Sequence, residues 1–500
     1  MISMLEALHH VGATSRYQYF LSLMNIILSC FTGFICLQFQ ALTIMQPLEC
    51  LSDRCTTLKT LNTANPGSLV CTLESDEWKF ASDHGHINWL TEYGLYCDNL
   101  FLKGMGTTLY FVGFMIGVTP LSSLSDRKGR RSASIWLLLS FVGCIVATKL
   151  TTTLFQVFFF RFAVGFVHAG LSVIIFTLSS ELTTPKFAAF INIVAGAGFS
   201  LGGTVVSSFA ERAHNWQDIF APVIWISTCF LIVFYLTITE SPQWLLARNR
   251  VPEAIKSLNF IASFNGRPPL PEDTELTTVN KPDLSTNPVS MILGNEILFG
   301  WIKKLSFCWF TVSICFYALQ FNAGSLGDGE YEVMKYMGLL DIPFRLSILG
   351  VANVWGRRKA SVIYLSICTS SLVFCLIPWL YTIEIGTLTL KSIMVLVGHG
   401  TGAAIFSLMY SYTSEVLPTL ARSTGVSMCS AIARIASLLS PFVILLNQVS
   451  PSLIFLLAAM CTLMSIHLVR KIPETLNKPL PANIEECETM FRTNGKLEKV

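Results

Sequence analysis

Asp126-Arg127-Lys128-Gly129-Arg130-Arg131 joins two apolar stretches, 101–124 and 133–150, and the reading of the 500-residue chain starts there. Each flanking stretch approaches the roughly 20 apolar residues that a helix needs to cross a bilayer. A short cationic loop between two such spans stays on the cytoplasmic side. The signature returns as Trp355-Gly356-Arg357-Arg358-Lys359, again after the second span of a set. Working outward from the two loops, spans are expected at 21–46, 101–124, 133–150, 152–177, 187–209 and 218–238, then at 305–323, 332–353, 361–382, 388–412, 423–446 and 450–469. Peptide groups in hydrocarbon must be satisfied within their own segment, so every span is expected to be helical.

The fold class this implies is an all-α membrane protein with twelve transmembrane helices in two pseudo-symmetric six-helix halves, 21–238 and 305–470. A cytoplasmic linker, 239–304, separates them, with a cytoplasmic N-terminus at 1–20 and a cytoplasmic tail at 471–500. Two related halves are the mark of a transporter whose site lies at the repeat interface near mid-membrane. Composition agrees: 52% of residues are hydrophobic, 13% are charged and the mean hydropathy is +0.57. Soluble chains carry about 25% charged residues, so a water-facing exterior is excluded and the lipid bilayer is the first partner. A net charge of +3, with bases gathered in short clusters, excludes a nucleic-acid partner.

Orientation follows from Arg127, Lys128, Arg130 and Arg131, from Arg248, Arg250, Lys256 and Arg267 in the linker, and from Arg357, Arg358 and Lys359. All three clusters fall on one side. The segment 47–99 falls on the other and carries Glu49, Asp53, Glu74, Asp76, Glu77, Asp83, Glu92 and Asp98. It also holds Cys50, Cys55, Cys71 and Cys97, an even set expected to form disulfides in an oxidising space, with the connectivity open. Most other cysteines lie in apolar runs and are expected to be buried small hydrophobes. Stretches around 267–288 and after Pro473 have the composition of unstructured chain.

The two Gly-Arg-Arg loops resemble the cytoplasmic motif of the major facilitator superfamily. Four further stretches resemble its organic ion transporter branch, solute carrier family 22: Glu240-Ser241-Pro242-Gln243-Trp244-Leu245-Leu246, Tyr412-Thr413-Ser414-Glu415-Val416-Leu417-Pro418-Thr419, Gly425 to Pro441, and Ile472-Pro473-Glu474-Thr475. The pattern is most similar to the organic anion transporters. Departures are Gln243 where the branch has Arg, Phe316-Tyr317-Ala318 in place of Tyr-Tyr-Gly, and no Asn-x-Ser/Thr acceptor. The resemblance implies a major facilitator fold in the plasma membrane, working by alternating access.

Candidate gating residues are Asp126, Arg130, Arg131, Glu181 and Glu240 in the first half, and Arg357, Arg358 and Glu415, with Glu474, in the second. Acids at span ends are matched to the Gly-Arg-Arg bases in both halves and are expected to latch an inner gate; some of them simply anchoring helix ends to the lipid surface is the plainer alternative. Asp126 is also expected, from the resemblance, to act as a helix-end or dipole partner for the start of the eleventh span.

Ionisable groups inside spans are costly, at roughly 2.5–3.5 kcal/mol on insertion scales. Arg161 is expected to be structural, reaching the interface or pairing with Glu181 or Asp126. Asp341 and Arg345 stand one turn apart and are able to pair, leaving Arg434 as a mid-membrane base for an anionic substrate. The resemblance points to the same two bases, and to Phe199, Tyr317, Phe406 and Tyr410 as aromatic substrate contacts. Intramembrane His168 and His399 raise proton coupling, against the plainer role of a neutral ring bonded to a carbonyl.

Gly198-Phe199-Ser200-Leu201-Gly202 matches a hydrolase nucleophile pattern, but it lies in an apolar helix and not at a strand-to-helix elbow. There is no Walker loop and no His-Glu-x-x-His. The expectation is therefore a secondary transporter and no enzyme, with no cofactor and no metal. It carries small amphipathic organic anions as a uniporter or in exchange for a counter-transported anion such as a dicarboxylate. The alternatives are a zwitterion or organic cation (carnitine-like) carrier and a non-transporting, receptor-like relative.

Overall fold

Runs of twenty apolar residues find partners for their peptide groups in hydrocarbon only by coiling on themselves. A computed structural model of the protein describes all residues except 1, 13, 47, 62–69, 75, 81–86, 272–273, 275, 278–287, 322, 324–328, 378–382, 386–387, 419–420, 444–449, 479–480, 482–485 and 487–500. Among the described residues, twelve helices have 18 residues or more. They are α1 (Arg16–Ala41), α2 (Leu100–Lys128), α3 (Arg130–Lys149), α4 (Leu154–Glu181), α5 (Pro185–Arg212), α6 (Phe220–Thr237), α7 (Glu296–Phe321), α8 (Glu330–Trp355), α9 (Arg357–Phe374), α10 (Leu390–Val416), α11 (Arg422–Val443) and α12 (Pro451–Arg470).

Eleven of the twelve are apolar and long enough to cross a membrane. The exception is α9, whose first turn is Arg357, Arg358 and Lys359. Its 18 residues rise about 27 Å, close to the ~30 Å of a hydrocarbon core. The ninth span, expected at 361–382, stops earlier, at Phe374, and residues 378–382 lie outside the described ones.

The chain divides into two compact units. Unit 1 is Met1–Phe39, Met105–Gly202 and Arg212–Lys281; unit 2 is Gln40–Gly104, Gly203–Glu211 and Pro282–Val500. In unit 1, α3 packs on α4 and α6. There α1 and α5 meet so closely that a Cβ on Gly33 would overlap the Phe199 carbonyl, and α2 meets α4 with Gly113 against the Phe162 carbonyl. In unit 2, α7 packs on α11, α8 on α10, and α9 on α12. Advancing the unit 1 pairs α1–α5, α2–α4 and α3–α6 by six helices reproduces those of unit 2, so the repeat announced by two short loops extends to the packing. The core of unit 2 runs through Trp301, Leu305, Trp309, Val312, Leu408, Tyr412 and Ala433.

Two expected loops are folded. Between α1 and α2, the antiparallel strands Leu48–Cys50 and Trp78–Phe80 lie over a small core of Leu48, Cys55, Val70, Leu73 and Trp78. Disulfides join Cys50 to Cys55 and Cys71 to Cys97, with Cα atoms 5.4 and 5.3 Å apart. Asp83 of this segment is outside the described residues. Between α6 and α7, the helix Val251–Asn265 buries Ala254, Leu258, Ile261 and Ala262, and ends at Gly266 in the left-handed region. Asn265 accepts the Tyr17 backbone N–H at 2.8 Å, fastening this helix to the start of α1. Strand Leu276–Thr277 pairs in parallel with Ile2–Ser3, so the 267–288 stretch is partly ordered, although 278–287 is outside the described residues, as is the tail from 487.

Candidate functional site

The Gly-Arg-Arg motif works through its backbone as much as through its charges. Gly129 and Gly356 hold φ of +98° and +89°, a region side chains disfavour, and each opens a helix whose first N–H groups have no partner within the helix. In unit 1 a Glu240 oxygen accepts the N–H groups of Arg130 at 2.8 Å and Arg131 at 3.0 Å, and that of Ser241 at 3.0 Å. In unit 2 Glu474 accepts the N–H groups of Arg357 at 2.7 Å and Arg358 at 3.2 Å. A carboxylate at a helix N-terminus meets both the orphan donors and the positive end of the helix dipole.

The guanidiniums then bind elsewhere. Arg130 contacts Asp126 at 3.0 Å and Glu181 at 3.3 Å, and its counterpart Arg357 contacts Glu415 at 3.0 Å. Arg131 donates to the carbonyls of Ile238 at 2.6 Å and Tyr235 at 2.8 Å. The expected side-chain ion pairs thus exist for Glu181 and Glu415. The hydrogen bonds of Glu240 and Glu474 run to main chain, because acceptors there must first meet the helix ends. Asp126 also uses its backbone carbonyl, which accepts from Trp244 Nε1 and Arg248, both at 2.9 Å.

Arg161 lies about 30 Å along α4 from Glu181, since 20 residues separate them at 1.5 Å each, so the expected pairing is impossible. The guanidinium is 2% exposed and donates to the carbonyls of Ile35 at 2.6 Å, Cys36 at 3.3 Å and Gly106 at 3.4 Å. The rings of Phe39 and Tyr110 cover it. It pins α4 to α1 and α2, a structural role. Also on α4, His168 Nδ1 is hydrogen-bonded to the Tyr110 hydroxyl, and the Phe114 ring is edge-on to the imidazole.

Unit 2 gathers most of the residues singled out for substrate. Trp309, Phe406 and Tyr410 form an edge-to-face triangle with ring centroids 4.5–5.6 Å apart. Thr413 fixes the indole by accepting from Trp309 Nε1 at 3.0 Å. Tyr317 is buried between Phe316 and Phe321. Arg345 is buried on α8 and donates to Ser407 of α10 at 2.7 Å. Asp341 stands one turn before it on α8, and its carboxylate contacts His399 at 2.9 Å. Arg434 is half-buried on α11. Ser313 of α7 bonds the Ala433 carbonyl and the Ser437 hydroxyl, both at 2.9 Å. That locks one face of α11 onto α7 and leaves Arg434, one residue on, about 100° around the helix from it. Phe199 belongs to unit 1 and is half-buried on α5.

Two features carry little or no signal in the sequence. Ser407 as partner of Arg345 is invisible in a run of small residues. Lys335, at the start of α8, binds Glu211 at 2.9 Å and Glu332 at 2.7 Å; only the Glu332 spacing of three residues was available as a signal.

The Major Facilitator Superfamily model matches residues 96–441. The chain is 27% identical over 430 residues to solute carrier family 22 member 6 of Pseudopleuronectes americanus, covering 83% of this chain and 74% of that protein. It is 26% identical to organic anion transporter 3 of Oryctolagus cuniculus, at 85% and 78% coverage, and 28% identical to organic cation/carnitine transporter 4 of Arabidopsis thaliana, at 85% and 80%. In fold it is similar to the proton:xylose symporter XylE bound to 6-bromo-6-deoxy-D-glucose, with a TM-score of 0.62 at 16% identity over 95% of this chain and 99% of that one. With two repeated sets of six helices, the paired Gly-Arg-Arg clusters and a family match over more than half its length, the chain belongs to the major facilitator superfamily and is a multi-pass membrane transporter, not an enzyme.

Proposed function

We propose that the protein is a secondary transporter of small amphipathic organic anions in the plasma membrane, acting by alternating access with both termini cytoplasmic. One observation carries the substrate class: among the described residues in the middle of the unit 2 spans, two guanidiniums, Arg345 and Arg434, outnumber one carboxylate, Asp341, and the same unit holds the aromatic triangle of Trp309, Phe406 and Tyr410. Excess positive charge favours an anion, and aromatic walls favour its apolar body. Arg434 is the first substrate contact, with Arg345, Tyr317, Phe406 and Tyr410 supporting it; Phe199 remains a candidate on the resemblance alone. Relatives named organic anion transporter 3 support this reading. Uniport, or exchange against a counter-transported anion such as a dicarboxylate, is the proposed mode. Halves 21–238 and 305–470 are the proposed moving bodies, with Asp126, Arg130, Arg131, Glu181 and Glu240 and with Arg357, Arg358 and Glu415 holding the cytoplasmic gate.

A charge-assisted contact of about 1.5–3 kcal/mol corresponds to roughly 10- to 150-fold in affinity. Arg434→Ala is expected to lose anion uptake by that factor at normal surface level, and Arg434→Lys to restore part of it, since an ammonium lacks the two-pronged fork. Unchanged anion affinity in Arg434→Ala removes the reading. A zwitterion or organic cation carrier is the second reading, supported by the similarity to the plant protein named for carnitine. It predicts uptake of a quaternary ammonium probe in preference to a sulfonate.

A further inference from the structure

Two buried ionisable groups of unit 2 are not used by the proposed substrate contacts. Asp341 and His399 stand near mid-span on α8 and α10, with side chains 2% and 1% exposed, and His399 Nδ1 lies 2.9 Å from Asp341 Oδ1. The helices are pressed together here: a Cβ on Gly400 would overlap the Phe344 ring. Phe316 of α7 stacks on the imidazole with centroids 4.3 Å apart and planes 28° apart. When the carboxylate is ionised, Nδ1 must carry the hydrogen and donate it, which puts the imidazole lone pair on Nε2. Nε2 is buried and has no protein hydrogen-bond partner. A buried acceptor left so is costly, and a histidine kept only for architecture would avoid that cost.

The surroundings bias what that nitrogen can take up. On α8 itself, Arg345 stands one turn from Asp341 and donates to Ser407. On α7, Tyr317 packs edge-on against Phe316, whose ring stacks on His399. On α9, the Cys368 thiol donates to the Gly398 carbonyl at 3.5 Å, and the Tyr364 hydroxyl is bonded to Ser347. Packed against α10 as well, α11 contributes Arg422 and Arg434, and Lys391 at the start of α10 has its ammonium over the Phe455 ring. Asp341 is the carboxylate that contacts the ring, at 2.9 Å.

We propose that the Asp341–His399 pair is a proton-binding site that couples proton movement to anion transport, an inference resting on the anion reading above. Nε2 of the neutral imidazole takes a proton from water on one side, forming an imidazolium whose Nδ1–H still bonds the Asp341 carboxylate. This adds one positive charge to the spans that hold Arg345 and Arg434, and so favours loading of one monovalent anion. Proton and anion cross together with no net charge. On the other side the anion leaves, the Nε2–H bond breaks, and the proton returns to water.

The test uses the purified full-length protein in liposomes with radiolabelled 2-naphthalenesulfonate, which stays ionised throughout. With about pH 5.5 outside and about pH 7.5 inside, an inward proton gradient of about two pH units, uptake should overshoot the equal-pH control. One proton per anion sets a ceiling of about 100-fold accumulation, tenfold for each pH unit. The weakly buffered medium outside should turn alkaline as the sulfonate enters, and a potassium diffusion potential should leave accumulation unchanged. His399→Gln and Asp341→Asn should lose both the overshoot and the proton signal. His399→Lys, which keeps a fixed cation beside Asp341, should still bind the sulfonate in a thermal-shift assay, but with no pH dependence. Saturable native uptake that ignores the gradient and moves no protons overturns the proposal, as does gradient-driven accumulation by His399→Gln. If the native protein shows neither saturable sulfonate uptake at any pH nor a sulfonate thermal shift, the anion reading falls and takes this inference with it.

Discussion

Replacing Glu240 tests whether the acid of the Gly-Arg-Arg cluster serves the backbone or a side chain. One carboxylate oxygen accepts three main-chain N–H groups, from Arg130, Arg131 and Ser241, at 2.8–3.0 Å. Hydrogen bonds to a charged group contribute about 1.5–3 kcal/mol each and neutral ones about 0.5–1.5. Helix ends recover part of any loss by binding water, so Glu240→Ala is expected to cost about 3 kcal/mol in all. Gln keeps an oxygen in place and gives up only the charge, and with it part of the dipole term of about 0.3–1 kcal/mol; its expected cost is about 1–1.5 kcal/mol. Asp keeps the charge but is one methylene too short, and should fall near Ala. Equilibrium unfolding by SDS in mixed micelles gives the three differences directly, and cysteine accessibility on the cytoplasmic side gives the state of the gate. The order native, Gln, then Asp and Ala is diagnostic of capping. An ion pair with a guanidinium would instead give native and Asp above Gln and Ala, and that order, or an Ala variant within about 0.5 kcal/mol of native, refutes the reasoning.

Arg161→Lys should destabilise unit 1 by about 3 kcal/mol, because one ammonium cannot serve carbonyls on two helices as the planar guanidinium does; micelle unfolding of this variant beside Arg161→Gln checks it. Gly33→Ala should lower folded yield severely, since its Cβ would overlap a helix carbonyl that has no room to retreat, whereas Ala at Gly143, with nothing within 4 Å, should behave as native. Intact cells treated with a thiol reagent should leave Cys50, Cys55, Cys71 and Cys97 unlabelled until reductant is added, and mass spectrometry of the unreduced protein should recover Cys50 linked to Cys55 and Cys71 linked to Cys97. A mixed pairing would refute that connectivity.

Reading the chain before seeing it folded captured whatever depends on run length and local charge. Apolar stretches located all twelve long helices, missing mainly at ends such as Phe374, where no polar residue marks the stop. Within the linker, the helix Val251–Asn265 went unmarked, because its apolar face, spaced by three and four residues between polar ones, is a weaker signal than the spans on either side. In the candidate site, Arg345 and Arg434 were visible because a base inside a span is rare. Ser407 was not, because a serine inside a span is ordinary.

The sequence by itself determined that this is a membrane-spanning helical protein in two repeats, and which residues carry charge into the spans, because hydrocarbon thickness and the cost of burying an ion act on short stretches of chain. Tertiary structure alone decided the partners. Glu240 reaches Arg130 across 110 positions, His399 reaches Asp341 across 58, and Arg161 reaches Ile35 across 126. Whether an acid meets a guanidinium, an imidazole or a row of backbone N–H groups depends on which helix faces are pressed together, and that is set by contacts such as Gly33 on the Phe199 carbonyl and Gly400 on the Phe344 ring, where the lack of a side chain lets the neighbour come closer than a Cβ would allow.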